Sequence, residues 1–445
     1  MKLRFVAIAR TTFDIPLAAE LATLARGSIT DHEVVGSADL LVEAPSQPVP
    51  EDDADAIVLL MATFADSTLP AAVVGDAEVP IVLWGVPEPR TGDRLRLNAL
   101  CGINLAAYEL RRRGHDVRWL YAHPADDGVG EALDAALAWP PAARPGPTVE
   151  ADTEAGIRLA DRLAGLTVGL VGDPPAGFTP CLADHAVLAA AGSPTVDRVD
   201  LDVLFERASS LDPAAARGLV DDLVGIEDRE PGAVDAALQL HLGLAALVED
   251  RGWDGVATRC WPECFTEFGA AACAAQGLLA DTGVPATCEA DVPGTLTALV
   301  LREAAGAPPM VADLVDVADD GTMAFWHCGL APESMAGEVP AAADHPNRGL
   351  PLLRQFRFRP GRVTVARFSA SLGVARLVIG GGEVLDRPRP YHGTSGVVRM
   401  DRPGDEVLAT VMAEGLDHHY GIVYGDVRAA LAGLAEVLGI DVVWL

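Results

Sequence analysis

The chain has 445 residues, half of them hydrophobic and only 5% aromatic, enough material for several domains with cores built mostly from Ala, Val and Leu. It sets 33 basic against 64 acidic residues, a formal net charge of −31, which argues against nucleic acid or an anionic membrane surface as a partner. Lys2 is the only lysine, so a Walker A nucleotide site, a pyridoxal-phosphate enzyme and a Schiff-base aldolase are excluded, since each needs an internal Lys.

What remains is chemistry run by carboxylates, His, Cys, Arg or a metal. Seven cysteines, at 101, 181, 260, 264, 273, 288 and 328, form no paired framework, as expected for reduced thiols inside a cell. The N-terminal run Leu3–Ala9 is short and ends at Arg10 without a signal-peptide pattern. No window approaches 18 uninterrupted apolar residues. A soluble, cytoplasmic protein is the expectation.

In chain order, Leu3–Ala9, Ala56–Met61 and Ile81–Trp84 read as strands, the last two as continuous apolar runs covered on both faces. Leu95–Arg113 has helical periodicity closed by Gly114, and Val117–Tyr121 is the next strand. Along that helix Asn98, Cys101 and Asn104 place polar groups amid apolar ones. The Pro-rich stretch 139–147 reads as a linker. Leu166–Val171 opens a second alternating unit, with helices expected near 182–191, 213–224, 232–250 and 263–281. Short strands are expected at Gly255–Arg259 and Pro285–Cys288, with a helix after Pro293. Beyond residue 340, Arg362–Phe368 and Ala375–Ile379 alternate with period two, Gly380–Gly382 reads as a turn, and Gly396–Arg399 is a further strand. A helix near 427–438 and a strand from Asp441 end the chain. The architecture expected is two Rossmann-like α/β domains, 1–150 and 151–337, followed by a β-rich domain, 338–445.

The densest polar cluster, Arg259 to Glu267, follows a predicted strand and opens a helix, where open α/β sheets bind ligands. Glu263 and Glu267 are four apart and can share a helix face. The plain alternative is that they complement the helix dipole. A second cluster, Thr287 to Thr295, delivers Glu289 and Asp291 onto a loop, on one side if the strand persists; Asp291 alone could be an N-cap. Two acidic strand exits in one domain suit a divalent metal or a two-carboxylate proton shuttle. A third partner could come from His327, or from the pair His418-His419 beside Asp417. No G-x-G-x-x-G order and no G-x-S-x-G elbow is present. Cys260 and Cys264 lack a second pair at zinc-finger spacing.

Four words in this order, Arg259-Cys260-Trp261-Pro262-Glu263, Cys288 to Thr295, Trp326-His327-Cys328-Gly329 and His418 to Asp426, resemble the L-fucose isomerase family in its shorter fucose/arabinose isomerase-like branch. The resemblance implies a metal-dependent aldose–ketose isomerase working through an enediolate, usually oligomeric and usually with Mn²⁺ or another divalent ion such as Mg²⁺. Some relatives in the branch look like isomerases of modified sugars, including sulfonated ones. By the same resemblance one Glu, one Asp and one His hold the metal: Asp291 from the acidic word, His419 from the C-terminal word, and Glu263 by its place after Trp261. The separation seen in longer relatives points to Glu267 instead. Glu263 and Asp291 then double as the acid/base pair, and Trp261, His327, Tyr391, Glu267 and His418 are candidates for the sugar. The competing readings are a sugar-binding protein that has lost the chemistry, and a metal-dependent lyase or epimerase using the same intermediate.

Overall fold

Continuous apolar runs build the first sheet. In this computed structural model, which describes residues 1–43, 53–138, 146 and 148–445, its strands are β1 (Lys2–Ile8), β2 (Glu33–Val35), β3 (Leu40–Leu41), β4 (Ala56–Met61), β5 (Ile81–Gly85) and β6 (Val117–Tyr121). All pair in parallel in the order β2-β1-β4-β5-β6, with β3 also on β1. Every residue of β4 and β5 is buried, as parallel strands covered on both faces require. The helix Ala99–Arg112 packs on this sheet and on the C-terminal sheet, and is buried from Ala99 to Leu110. The Pro-rich segment read as a linker lies outside the described residues except for Gly146 and Thr148 onward.

The second sheet is also parallel: β7 (Thr167–Val171), β8 (Thr195–Val199), β9 (Gly255–Thr258) and β10 (Ala286–Thr287), in the order β10-β9-β7-β8. Two expected helices differ. The segment 213–224 forms only a short 3₁₀ helix, Pro213–Leu219, which ends one residue past Gly218. The segment 263–281 divides into a π-helical turn, Cys264–Phe268, and a helix, Cys273–Asp281, because Gly269 turns left-handed at φ 86°. The helix Pro231–Arg251 is long and apolar enough by length and composition to cross a membrane, but half of its most apolar window is buried. It lies against the helices Leu201–Ser209 and Cys273–Asp281.

The third sheet holds β11 (Met310–Val317), β12 (Met323–His327), β13 (Ala341–Ala343), β14 (Leu353–Arg357), β15 (Gly361–Ser369), β16 (Arg376–Val384), β17 (Thr394–Met400), β18 (His419–Tyr424) and β19 (Asp441–Trp444). Its order is β13-β14-β17-β12-β11-β18-β15-β16-β19, and β16 also pairs β17. Six strands therefore close on themselves as a barrel. The sheet begins at Met310, upstream of residue 338. The glycines 380–382, read as a turn, sit inside β16. A Cβ on Gly382 would lie 2.8 Å from Val398 Cγ1 and one on Gly380 2.9 Å from Met400 Cε, so glycine is what lets the barrel wall close there. A helix that the alternation gave no sign of, Gly404–Ala413, follows β17.

The second sheet and the barrel are joined by a helix crossing. Thr153–Leu163 meets Arg428–Leu438 with Gly156 and Gly433 at the contact, where a Cβ on either would overlap the other helix's backbone. Backbone has nowhere to retreat. A Gly433→Val substitution is expected to cost about 1–3 kcal/mol or more and to lower the thermal unfolding midpoint, whereas Ala430→Val beside it should change it little; calorimetry of the two variants checks this.

Candidate active site

Loops at the carboxyl ends of the second sheet's strands face the barrel. β9 ends at Thr258 and continues into Arg259-Cys260-Trp261; β10 ends at Thr287 and continues into Cys288 to Asp291. From the other side β11 carries Asp313, β12 ends in His327 and β18 starts at His419. The register sets Asp313 directly opposite His419 on one flank and Trp326 on the other. Between these elements lies a cavity lined among others by Arg10, Phe64, Asn98, Trp261, Glu289, Asp313, Trp326, His327, Arg348 and His418.

His419 is the centre of the polar network. Its Nδ1 lies 2.8 Å from Asp291 Oδ2. With the Nδ1 proton given to Asp291, the Nε2 lone pair is directed to the other side of the ring, 3.2 Å from Asp313 Oδ1 and 3.4 Å from Glu289 Oε2. Neither His419 Nε2 nor Asp313 Oδ1 completes a hydrogen bond, although both are buried. Two unmet polar atoms in one buried spot cost about 1–3 kcal/mol each. Burial alone would lower the His419 pKa, yet the Asp291 and Asp313 carboxylates raise it well above the ordinary value. The carboxylates thus draw positive charge to the Nε2 side of the ring, either a proton on that nitrogen or a cation that takes its lone pair in the neutral form.

Asp291 is saturated. It caps the helix Val292–Ala305, accepting from Gly294 N–H at 2.9 Å, and both its oxygens take the Arg367 guanidinium, at 2.6 and 3.0 Å. Burial would push its pKa up; Arg367 and then His419 hold it well below the usual carboxylate range. Gly294 is required here, since a Cβ would collide with that carboxylate. Arg367, fully buried, also meets Asp417 at 3.1 Å, and Asp417 in turn accepts from Ser369.

Glu289 is held differently. Glu289 and Ala290 both take left-handed backbone, at φ 60° and 55°, a strained choice for non-glycine residues. The carboxylate lies 3.5 Å from Trp261 Nε1 and 3.2 Å from His418 Nε2. His327 Nδ1 accepts the Cys328 N–H at 2.8 Å, which leaves the proton on Nε2, a buried donor without a partner. Burial pulls the His327 pKa down to about 4, so the ring is neutral. Two thiols of the lining, Cys260 and Cys288, stand 2.7 Å apart.

Of the residues singled out from sequence, Trp261, His327 and His418 line the cavity and His419 adjoins it. Asp291 lies behind His419. Glu263 has both oxygens engaged by Arg259, at 2.6 and 2.7 Å, and is not among the cavity-lining residues. Glu267 is exposed on the π-helical turn. Tyr391 is fully buried in an apolar cluster with Phe64, Leu95, Phe178 and Trp326. Sequence reading passed over Asp313 and Arg367, and both carried a signal: a charge inside an otherwise apolar strand needs a reason to be buried.

Residues 6–137 match the fucose/sulfoquinovose isomerase N-terminal domain and residues 354–445 the L-fucose isomerase C-terminal domain. A sulfoquinovose isomerase of Alkalicoccus urumqiensis is 30% identical over 99% of this chain and 98% of its own length. Proteins of the same name from Priestia aryabhattai (28% identical, over 98% of this chain and 97% of the relative) and from Clostridium sp. strain MSTE9 (28%, over 86% and 85%) are similar as well. By both domain matches and a relative 30% identical over 99% of its residues, the chain belongs to the fucose isomerase family of aldose–ketose sugar isomerases.

Proposed function

We propose that this protein is a divalent-metal-dependent isomerase of sulfoquinovose, 6-deoxy-6-sulfoglucose, the sugar in its relatives' names. The observation that carries the metal reading is the approach of Glu289 Oε2 and Asp313 Oδ1 to His419 Nε2, at 3.4 and 3.2 Å, with the Asp313 and His419 atoms buried without a hydrogen bond. Two carboxylates and one imidazole suit Mn²⁺ or Mg²⁺. The donors are then Glu289, Asp313 and His419. Asp291, expected from sequence as a ligand, instead orients His419, and Glu263 stays with Arg259.

When bound, a divalent ion there supplies Lewis-acid neutralisation of the negative charge that develops on O1 and O2. The residues do the rest. Isomerisation moves one proton between C2 and C1, so a carboxylate must take it from one carbon and return it to the other. Glu289 and Asp313 face the cavity and share that work. The His327 Nε2–H donates to a sugar oxygen, which its neutral ring does without adding charge. Phe64, Trp261 and Trp326 exclude water from the exchanging proton. Arg367 and Asp291 fix the His419 ring and its tautomer.

Two predictions test this. Protein stripped with a chelator should lose ketose formation and regain it with Mn²⁺, with about one ion bound per chain in the wild type and much less in His419→Asn; full turnover by metal-free protein would sink the reading. Glu289→Gln and Asp313→Asn should each lose about a hundredfold or more in kcat while folding normally, whereas Glu263→Gln should stay within about tenfold of wild type. The opposite ranking would return the role to Glu263.

A further inference from the structure

The acidic chain pairs most of its guanidiniums closely: Arg259 with Glu263, Arg362 with Asp401, Arg367 with Asp291. Two arginines of the cavity wall depart from this habit. Arg10, just beyond β1, has its backbone N–H fixed by Thr63 Oγ1 at 2.8 Å, and its guanidinium reaches Asp66 only at 3.5 Å. Asp66 is already engaged by Thr68. Arg348, on the loop between β13 and β14, meets no carboxylate among the described residues. Both turn toward one aromatic ring: the Arg10 guanidinium carbon stands 4.5 Å from the Trp261 ring centre and that of Arg348 5.8 Å from it and 5.9 Å from Phe265. Each is half-buried, and Arg10 feels Arg348 as a like charge.

A guanidinium stacked over a ring uses its face and keeps its in-plane N–H groups free. Arg10 over Trp261, with Arg348 lining the same cavity, can together meet a compact oxyanion with several oxygens. Trp261 also fixes where that anion belongs. Its indole N–H lies against Glu289, at the reacting end, while its face carries Arg10. One indole thus touches both the carboxylate proposed to handle the proton and the cationic wall.

We infer that Arg10 and Arg348 form the subsite for the anionic group on the sugar carbon farthest from the carbonyl, a sulfonate in the reading given above, and that they set the preference for a sulfonated over a neutral hexose. This rests on that reading for the identity of the sugar and on the cavity alone for its charge. The two arginines act by binding at the far end of the sugar. Their loss therefore raises KM for the charged sugar far more than it lowers kcat.

The test measures equilibrium binding of sulfoquinovose and of D-glucose to chelator-treated wild type, Arg10→Gln and Arg348→Gln, by tryptophan fluorescence, and turnover of both sugars by the Mn²⁺-restored proteins. Circular dichroism and the unfolding midpoint verify that the variants fold. Sulfoquinovose should bind the wild type more tightly than D-glucose, and each variant should weaken sulfoquinovose about 10- to 100-fold and shrink the ratio of kcat/KM between the sugars by a similar factor. Variants that bind sulfoquinovose as the wild type does, or a wild type that binds both sugars equally, overturn the subsite. Arginine-dependent binding of sulfoquinovose without any turnover keeps the subsite and overturns the isomerase reading, so the two fail separately.

Discussion

The site depends on one buried chain of charges: Arg367 gripping Asp291, and Asp291 gripping His419 Nδ1. All three are essentially inaccessible to solvent. Burying such groups costs several kcal/mol per ion unless every partner is in place, and here each comes from a different element: β15, the N-terminus of the helix Val292–Ala305, and β18. The chain therefore does two jobs. It locks the second sheet onto the barrel, and it fixes which nitrogen of His419 faces the cavity. A ring free to turn would give Asp291 and Asp313 the same nitrogen by turns. A ring held on one side offers a single lone pair between two carboxylates.

The cavity is electrically divided. Glu289 and Asp313 make one end strongly negative, with three imidazoles around them; Arg10 and Arg348 make the other positive. The indole of Trp261 lies between. In a molecule of net charge −31, the negatively charged sugar proposed above would approach against the general field, and the local cations would supply both a target and an orientation. A substrate entering backwards would bring its anion against two carboxylates. Direction of entry is thereby set by repulsion as well as attraction.

Much of this was legible. The words around Trp261, Asp291, His327 and His419 all converge on one cavity, and the long apolar strands of the first sheet lie where their runs place them. The family was readable from those words together. Where each carboxylate sits was not. The alternation that put Glu289 and Asp291 on one side assumed a strand through residue 291, but β10 stops at Thr287 and the chain then turns left-handed twice. That turn sends Glu289 to the cavity and leaves Asp291 as a helix cap behind His419. Asp313 owes its place to the pairing of β11 with β18, a long-range event that local pattern does not encode. The glycines of β16 misled for a related reason: close packing against neighbouring strands, not a turn, selects them.

The insertion of β18 between β11 and β15 has a consequence for how the protein is made. Asp313 and His419 are roughly a hundred residues apart in sequence, and non-local pairings of this kind form late. During synthesis β11 waits with an open edge until its partner emerges. Glu289 and Asp313 are thus both out of the ribosome well before His419 can meet them, and the donor set comes into being only with the last strand but one. Maturation is in this way self-timed: the step that seals the barrel is the same step that brings the three proposed donors together.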